Sequence, residues 1–72
     1  MNLTWQGKWV LITGVCGTVG RELLRQVLAH GTAEIIGLDN NESELFFLDE
    51  VYRTATNVHL YLGDLRILNQ FT

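Results

Sequence analysis

The stretch TGVCGTVG, residues 13–20, places three of the seven glycines of the chain three positions apart. It follows a short apolar run and precedes an amphipathic stretch, so the glycines separate a predicted strand from a predicted helix. Gly14 would permit a tight turn, Gly17 a close approach of the backbone to a phosphate, and Gly20 close packing of helix on strand. A helix beginning near Thr18 would direct unpaired amides at that phosphate, so the pattern predicts an anion-binding loop.

The rest of the chain alternates short apolar runs with amphipathic stretches. Runs of strand-forming residues predict three strands, over Trp9–Thr13, Glu34–Asp39 and Val58–Leu62. Apolar residues at three- and four-residue spacing predict a helix over Thr18–His30 that ends at Gly31. A second helix is predicted to begin at residues 41–44, where an Asn with a Glu three positions later can cap the first turn.

This order predicts an α/β fold, a partial Rossmann βαβαβ unit with a three-stranded parallel sheet that is one half of a doubly wound domain. Residues 1–72 are expected to form this single unit. Two apolar helix stripes are predicted to face the sheet. The adjacent Phe46 and Phe47 are also expected in the core, with contact to another subunit or element of the whole enzyme as the alternative. The stripes consist of Val19, Leu23, Leu24, Val27 and Leu28 in the first helix and of Leu45, Leu48, Val51 and Tyr52 in the second.

Composition excludes several classes of protein. With 47% hydrophobic and 18% charged residues, the chain is globular rather than disordered. The net charge is −3 and the five basic residues are dispersed, so nucleic acid is not an expected partner. No apolar run approaches the ~20 residues that cross a bilayer, and no secretory signal is present, which makes a cytoplasmic location the expectation. A single cysteine, Cys16, offers neither an intramolecular disulfide nor a metal site.

Asp39 strengthens the nucleotide interpretation of the loop. It lies 19 positions after Gly20, at the end of the second predicted strand, where a carboxylate can accept hydrogen bonds from a ribose. Asn40 and Asn41 follow it without an adjacent Arg or Lys, so electrostatics favours NAD over NADP. Asp64, after the third strand, could reach the adenine. The alternative interpretation is that the glycines only form turns and that Asp39 is a solvated loop acid.

The same residues resemble a known family. TGVCGTVG resembles the T-G-x-x-G-x-x-G signature of the extended short-chain dehydrogenase/reductase superfamily. GKWVLITG, RELLRQVL, LDNNESEL and LGDLR together resemble the nucleotide-sugar 4,6-dehydratases of the capsular polysaccharide biosynthesis group. The resemblance covers Gly7 to Arg66. It implies a Rossmann domain that binds NAD or NADP, in a parent enzyme that removes water from a UDP-linked N-acetylhexosamine after hydride removal at C4 and returns the hydride at C6.

The resemblance also implies roles for individual residues. Relatives often continue the last motif as Arg-Asp, whereas Arg66 is followed by Ile67 here, which leaves the adenine contacts less defined. The cofactor-binding residues so implied are Gly14, Gly17, Thr18, Val19 and Gly20 for the pyrophosphate, with Cys16 in the same loop, then Asp39, Asn40 and Asn41 for the ribose, and Asp64 and Leu65 for the adenine.

No catalytic residue is predicted in this chain. The superfamily uses a Tyr with a Lys four positions later, because the Lys lowers the pKa of the tyrosine. Tyr52 has Thr56 at that offset, Tyr61 has Leu65, and the only lysine is Lys8. We therefore expect the amino-terminal portion of a longer enzyme, inactive alone, whose open first strand favours self-association as a homo-oligomer.

Two alternatives remain open at this stage. Another member of the superfamily, such as a sugar-nucleotide epimerase or reductase, would share the glycine loop. A non-catalytic dinucleotide-sensing module could use the same fold for regulation. Cys16 stands near a helix start, a position that lowers thiol pKa values, but without a partner His nearby in the sequence it is expected to fill the loop only.

Overall fold

The computed structural model describes residues 7–31 and 34–63. The elements follow the predicted order, and the strand bounds agree with those expected from the apolar runs. The second helix begins at Glu42, directly after the capping residue Asn41. In chain order the elements are β1 (Trp9–Thr13), α1 (Thr18–His30), β2 (Glu34–Asp39), α2 (Glu42–Val51) and β3 (Val58–Leu62).

The three strands form a parallel sheet in the order β1-β2-β3, with β2 in the centre. Thr13 of β1 is the register partner of Leu38, and Asp39 at the end of β2 is the partner of Leu62 in β3. Because parallel strands end at the same edge, the residues that follow β1, β2 and β3 gather there. The predicted α/β fold with a three-stranded parallel sheet is thereby confirmed.

Both helices contribute to one apolar core. Helix α1 turns Gly20, Leu24 and Val27 toward the sheet, at the spacing of one helix face. From α2, Leu45 and Leu48 are buried. The buried cluster consists of Ile12, Val15, Leu24, Val27, Ile35, Leu45 and Leu48.

Several apolar residues predicted to face the core are instead exposed. In α1, Val19 is 72% exposed and Leu23 is 47% exposed, because each precedes a buried residue by one position and so points about 100° away from the sheet. In α2, Val51 is 71% exposed. Phe46 and Phe47 are also exposed and contact each other edge to face at 5.8 Å between ring centroids, so their predicted core packing was wrong. The apolar stripes are therefore wider than the faces that meet the sheet.

Neither helix in the described ranges has the length and apolar character needed to cross a membrane. In the same ranges, no group of three or more His, Cys, Asp or Glu residues could hold a metal ion.

Candidate functional site

The glycine loop leaves β1 through a backbone conformation that favours glycine. Gly14 has a φ of 64°, in the left-handed region that L-residues rarely adopt. The amide of Gly17 donates to the Gly14 carbonyl at 2.9 Å and closes the turn. A Cβ on Gly17 would lie 3.3 Å from that same carbonyl oxygen, so the turn leaves little room for a side chain.

Gly20 is where α1 comes closest to the loop. A Cβ at this position would lie 2.2 Å from the Gly14 carbonyl oxygen and 2.8 Å from the Cα of Val15. Both atoms belong to the backbone and cannot move away as a side chain could. The absence of a side chain at Gly20 therefore permits the close helix packing that the spacing of the glycines predicted.

Val15 anchors the loop to the central strand. Its side chain is fully buried and lies over Gly37 of β2, where an added Cβ would come within 2.9 Å of a Val15 methyl group. The Val15 amide also donates to the Leu38 carbonyl at 3.1 Å. Sequence analysis did not detect this contact, although a glycine inside an apolar strand is a signal for close approach of another backbone or side chain.

The start of α1 presents backbone donors at the carboxyl edge of the sheet. Gly17 is the N-cap and supplies no side-chain capping bond. Hydrogen bonding of the helix begins at the Arg21 amide, which donates to the Gly17 carbonyl at 2.9 Å. The amides of the preceding turn, at Thr18, Val19 and Gly20, thus have no acceptor within the helix. Together with the positive end of the helix dipole, they form a geometry suited to an anion.

Asp39 lies between the glycine loop and the start of α2. One carboxylate oxygen accepts a hydrogen bond from the Cys16 amide at 3.0 Å, and the other accepts from the Asn41 amide at 2.9 Å. The Asp39 carbonyl accepts from the Gly63 amide at 2.9 Å, which ties the end of β3 to the same edge. Each carboxylate oxygen retains further acceptor capacity, so a ligand hydroxyl can still bind there.

The structure therefore brings most of the sequence-predicted site residues to one edge. The glycine loop, the first turn of α1, Asp39 and Asn41 are joined by the contacts described above, and Asn40 is exposed beside them. Asp64 and Leu65, predicted to contact adenine, lie outside the described residues.

The Cys16 thiol has a raised pKa. Burial raises the pKa above its ordinary value, and the neighbouring Asp39 carboxylate raises it further. A helix start can lower a thiol pKa, but here the pKa is raised because the thiol is partly buried and lies near a carboxylate. The neutral thiol is therefore the favoured form.

Sequence analysis missed an ion pair at this edge. The Arg21 guanidinium, in the first turn of α1, hydrogen-bonds the carboxylate of Glu44 in the first turn of α2. The two side chains are 47% and 44% exposed. The signal available in the sequence was positional, because first-turn residues of two helices that begin at one sheet edge lie near each other. The NAD preference was inferred because no Arg or Lys is adjacent to Asp39 in the sequence. The fold brings a cation, Arg21 of α1, to the start of the helix that follows Asp39.

The two histidines lie away from this edge. His30 ends α1 at the opposite side of the sheet. His59 is near the start of β3, and its Nε2 lies 2.7 Å from a carboxylate oxygen of Glu34 at the start of β2. Neither histidine therefore lies beside the glycine loop.

Comparison with known proteins identifies the family. A family model described as polysaccharide biosynthesis protein matches residues 10–71. The chain belongs to this polysaccharide biosynthesis protein family. The resemblance to the capsular polysaccharide biosynthesis group that the sequence motifs indicate is thus confirmed.

Two proteins illustrate the relationship to the family. The chain is 31% identical over 62 residues to an uncharacterized membrane protein of Methanocaldococcus jannaschii, a match that covers 86% of the chain. It also resembles the X-ray structure of Pen from Bacillus thuringiensis, with a TM-score of 0.71, 33% identity and coverage of 79% of the chain. In each comparison the chain spans only 18% of the length of the other protein.

Proposed function

We propose that this chain is the amino-terminal, dinucleotide-binding part of a nucleotide-sugar 4,6-dehydratase. The substrate proposed for the full-length enzyme is a UDP-linked N-acetylhexosamine used in surface polysaccharide synthesis. Membership of the polysaccharide biosynthesis family supports the biological setting. The similarity to Pen supports the fold on which this site is built.

One observation carries the proposal: a turn with glycines at both ends, Gly14 and Gly17, leads directly into helix amides that have no acceptor within the helix. Gly14 has a left-handed φ of 64°, and a Cβ at Gly17 or Gly20 would lie 3.3 or 2.2 Å from the Gly14 carbonyl oxygen, so the turn and the helix start can lie this close only without side chains at these positions. The amides of Thr18 and Val19 lie at the helix start beside this turn. Helix amides without an intrahelical acceptor attract negative charge, so the pyrophosphate of a dinucleotide fits this position.

Asp39 supports the assignment of the adenosine ribose to the neighbouring position. Its carboxylate is oriented by two backbone amides and retains acceptor capacity for the ribose hydroxyls. Asn40 and Asn41 complete the proposed ribose contacts, and Asp64 with Leu65 is proposed for the adenine. A negative charge at Asp39 favours NAD, because NADP would bring a 2′-phosphate toward it.

Chemistry on the sugar needs groups that this sequence does not contain. The bound dinucleotide would supply the hydride acceptor and donor. The residues of this chain would hold and orient it, since neither tyrosine is followed by the required Lys. We therefore propose that the chain alone has no dehydratase activity, and that the acid and base groups belong to another part of the full-length protein.

The test combines calorimetric titration of the full-length protein with NAD and with NADP, and a product assay on UDP-N-acetylglucosamine. We expect NAD binding and a product that has lost one water by mass spectrometry. A product of unchanged mass would indicate an epimerase, and a gain of two hydrogens a reductase. NAD binding without turnover of any UDP-sugar would favour the sensing module, and failure to bind either dinucleotide would contradict the proposal as a whole.

A further inference from the structure

A series of polar contacts connects the starts of both helices through the end of β2. Asp39 accepts hydrogen bonds from the amides of Cys16 and Asn41. The Asn41 side chain accepts from the Glu44 amide at 3.1 Å. The Glu44 carboxylate accepts a hydrogen bond from the guanidinium of Arg21, which directly follows Gly20 of the loop. The ion pair therefore lies in the same network as the proposed ribose-binding carboxylate.

We propose that Glu44 determines the preference for NAD over NADP by engaging Arg21, the cation that would otherwise bind a 2′-phosphate. This inference rests on the proposed dinucleotide function of the loop. It assigns to Glu44 the role of a specificity-determining residue, whereas Asp39 was the only source of selectivity visible in the sequence.

The pairing of Arg21 with Glu44 matters because a guanidinium is a phosphate-binding group. A guanidinium presents several N–H donors in a planar fork that matches a phosphate, and it stays charged at every physiological pH. A free Arg at the start of α1, at the same edge of the sheet as the end of β2, would attract a 2′-phosphate. The Glu44 carboxylate accepts a hydrogen bond from one guanidinium nitrogen of Arg21, and its negative charge offsets the positive charge that would attract this phosphate.

The charge balance of the network points in the same direction. Asp39 and Glu44 each contribute one negative charge and Arg21 one positive charge, so the three groups together carry one negative charge. A 2′-hydroxyl adds no charge to this environment, whereas a 2′-phosphate adds about −1.5 to −2. The three groups belong to one series of contacts, because Asn41 hydrogen-bonds Asp39 and the Glu44 amide, and the Glu44 carboxylate pairs with Arg21.

The exposure of the pair makes it sensitive to a single substitution. Both side chains are about half exposed, and such ion pairs are weak enough to exchange partners. Replacing Glu44 with Gln would leave the Asn41 cap intact, because the capping bond uses the backbone amide of residue 44. Gln is also a favourable residue at this position of the helix start.

The experiment is calorimetric titration of the full-length protein, wild type and Glu44→Gln, with NAD and with NADP. We expect the ratio of NADP affinity to NAD affinity to rise by about fivefold or more in the variant, the effect of one unit charge near a phosphate in water. The double variant Glu44→Gln with Arg21→Gln should lose this gain. Arg21→Gln alone should change the ratio little, because Arg21 is already engaged in the wild type.

Glu22→Gln is the matched control. Glu22 of α1 hydrogen-bonds Arg25 and Gln26 of its own helix, with an exposure similar to that of Glu44. An unchanged ratio of NADP affinity to NAD affinity in this variant would show that the loss of any exposed carboxylate is not sufficient to raise the ratio. An equal rise in both variants would contradict a specific role for Glu44.

The outcomes separate this inference from the proposed function. If the wild type binds NAD and Glu44→Gln leaves the ratio unchanged, the inference is wrong and the proposed function stands. If the wild type binds neither dinucleotide, both are wrong. Thermal denaturation of each variant, monitored by circular dichroism, will show whether a loss of binding reflects unfolding; a folded Glu44→Gln protein with no relative gain for NADP overturns the inference.

Discussion

The Asp39 carboxylate accepts a hydrogen bond from the Cys16 amide at 3.0 Å, although the two residues are 23 positions apart in the chain. The end of β2 thereby holds the glycine loop in place. The same carboxylate is proposed to bind the ribose. Under that proposal, both the conformation of the glycine loop and the choice between NAD and NADP depend on one side chain.

Substitution of Asp39 with Ala should weaken NAD binding by about tenfold, because hydrogen bonds to a charged group contribute roughly 1.5–3 kcal/mol. NADP binding should fall less, since the variant also removes repulsion of the 2′-phosphate. Titration calorimetry with both cofactors measures the two effects. Asp49→Ala, which removes an exposed acid from α2, is the control, and a larger loss for NADP than for NAD would undo the proposed preference.

Gly20→Ala should destabilise the protein by about 2 kcal/mol or more, because the new Cβ must displace backbone atoms. Gly17→Ala should cost less, since its Cβ would lie 3.3 Å from the nearest atom outside its own neighbours. Urea unfolding of both variants gives the comparison. Equal stability of the two would show that the loop and α1 can separate without cost.

Gly14→Ala and Gly7→Ala form a pair matched in backbone strain. Their φ angles are 64° and 75°, and an added Cβ meets no atom within 4 Å at either position. Each substitution should cost about 1–2 kcal/mol through the left-handed conformation. Only Gly14→Ala should also weaken NAD binding in titration calorimetry, because only Gly14 lies in the loop. A comparable loss in Gly7→Ala would assign the effect to general instability.

Val15 and Gly37 should show coupled effects on the free energy of unfolding. Val15→Ala removes two buried methyl groups and should cost about 2 kcal/mol. Gly37→Ala overpacks the contact and should cost about 1–3 kcal/mol. The double variant should cost less than the sum, because the smaller residue 15 makes room for the new Cβ. Chemical denaturation of all four proteins completes the cycle, and strict additivity would mean that the Val15 side chain does not meet a Cβ at position 37 in solution.

Cys16 should react slowly with alkylating reagents. Its pKa is raised by burial and by the Asp39 carboxylate. Because only the thiolate reacts, the labelling rate should increase with pH at higher pH values than for an ordinary thiol. Because it is the only cysteine in the chain, iodoacetamide labelling followed by mass spectrometry reports it without interference from other thiols of the chain. N-acetylcysteine serves as the reference, and faster labelling of Cys16 would contradict the shielded, neutral thiol.

The strands were predictable because their apolar runs are short and bounded by glycine or acidic residues. Which side of a helix meets the sheet was less predictable, as Val19 and Val51 show, since an apolar stripe can be wider than the contact. The glycines and Asp39 could be identified because their spacing along the chain is itself the signal. The contact between Arg21 and Glu44 depends on how two helices approach in space, and no local pattern encodes that distance.

The contacts of Val15 and Cys16 with β2 have a consequence for how the loop folds. The amides of Val15 and Cys16 and the Val15 side chain have their partners in β2, at residues 37–39, so the conformation of residues 13–20 depends on that strand as well as on the bond between Gly17 and Gly14. During synthesis, we expect the loop to reach this conformation only after the second strand has emerged and aligned beside the first. For the same reason, an eight-residue transplant of this segment into a foreign scaffold would need matching acceptors there to reproduce it.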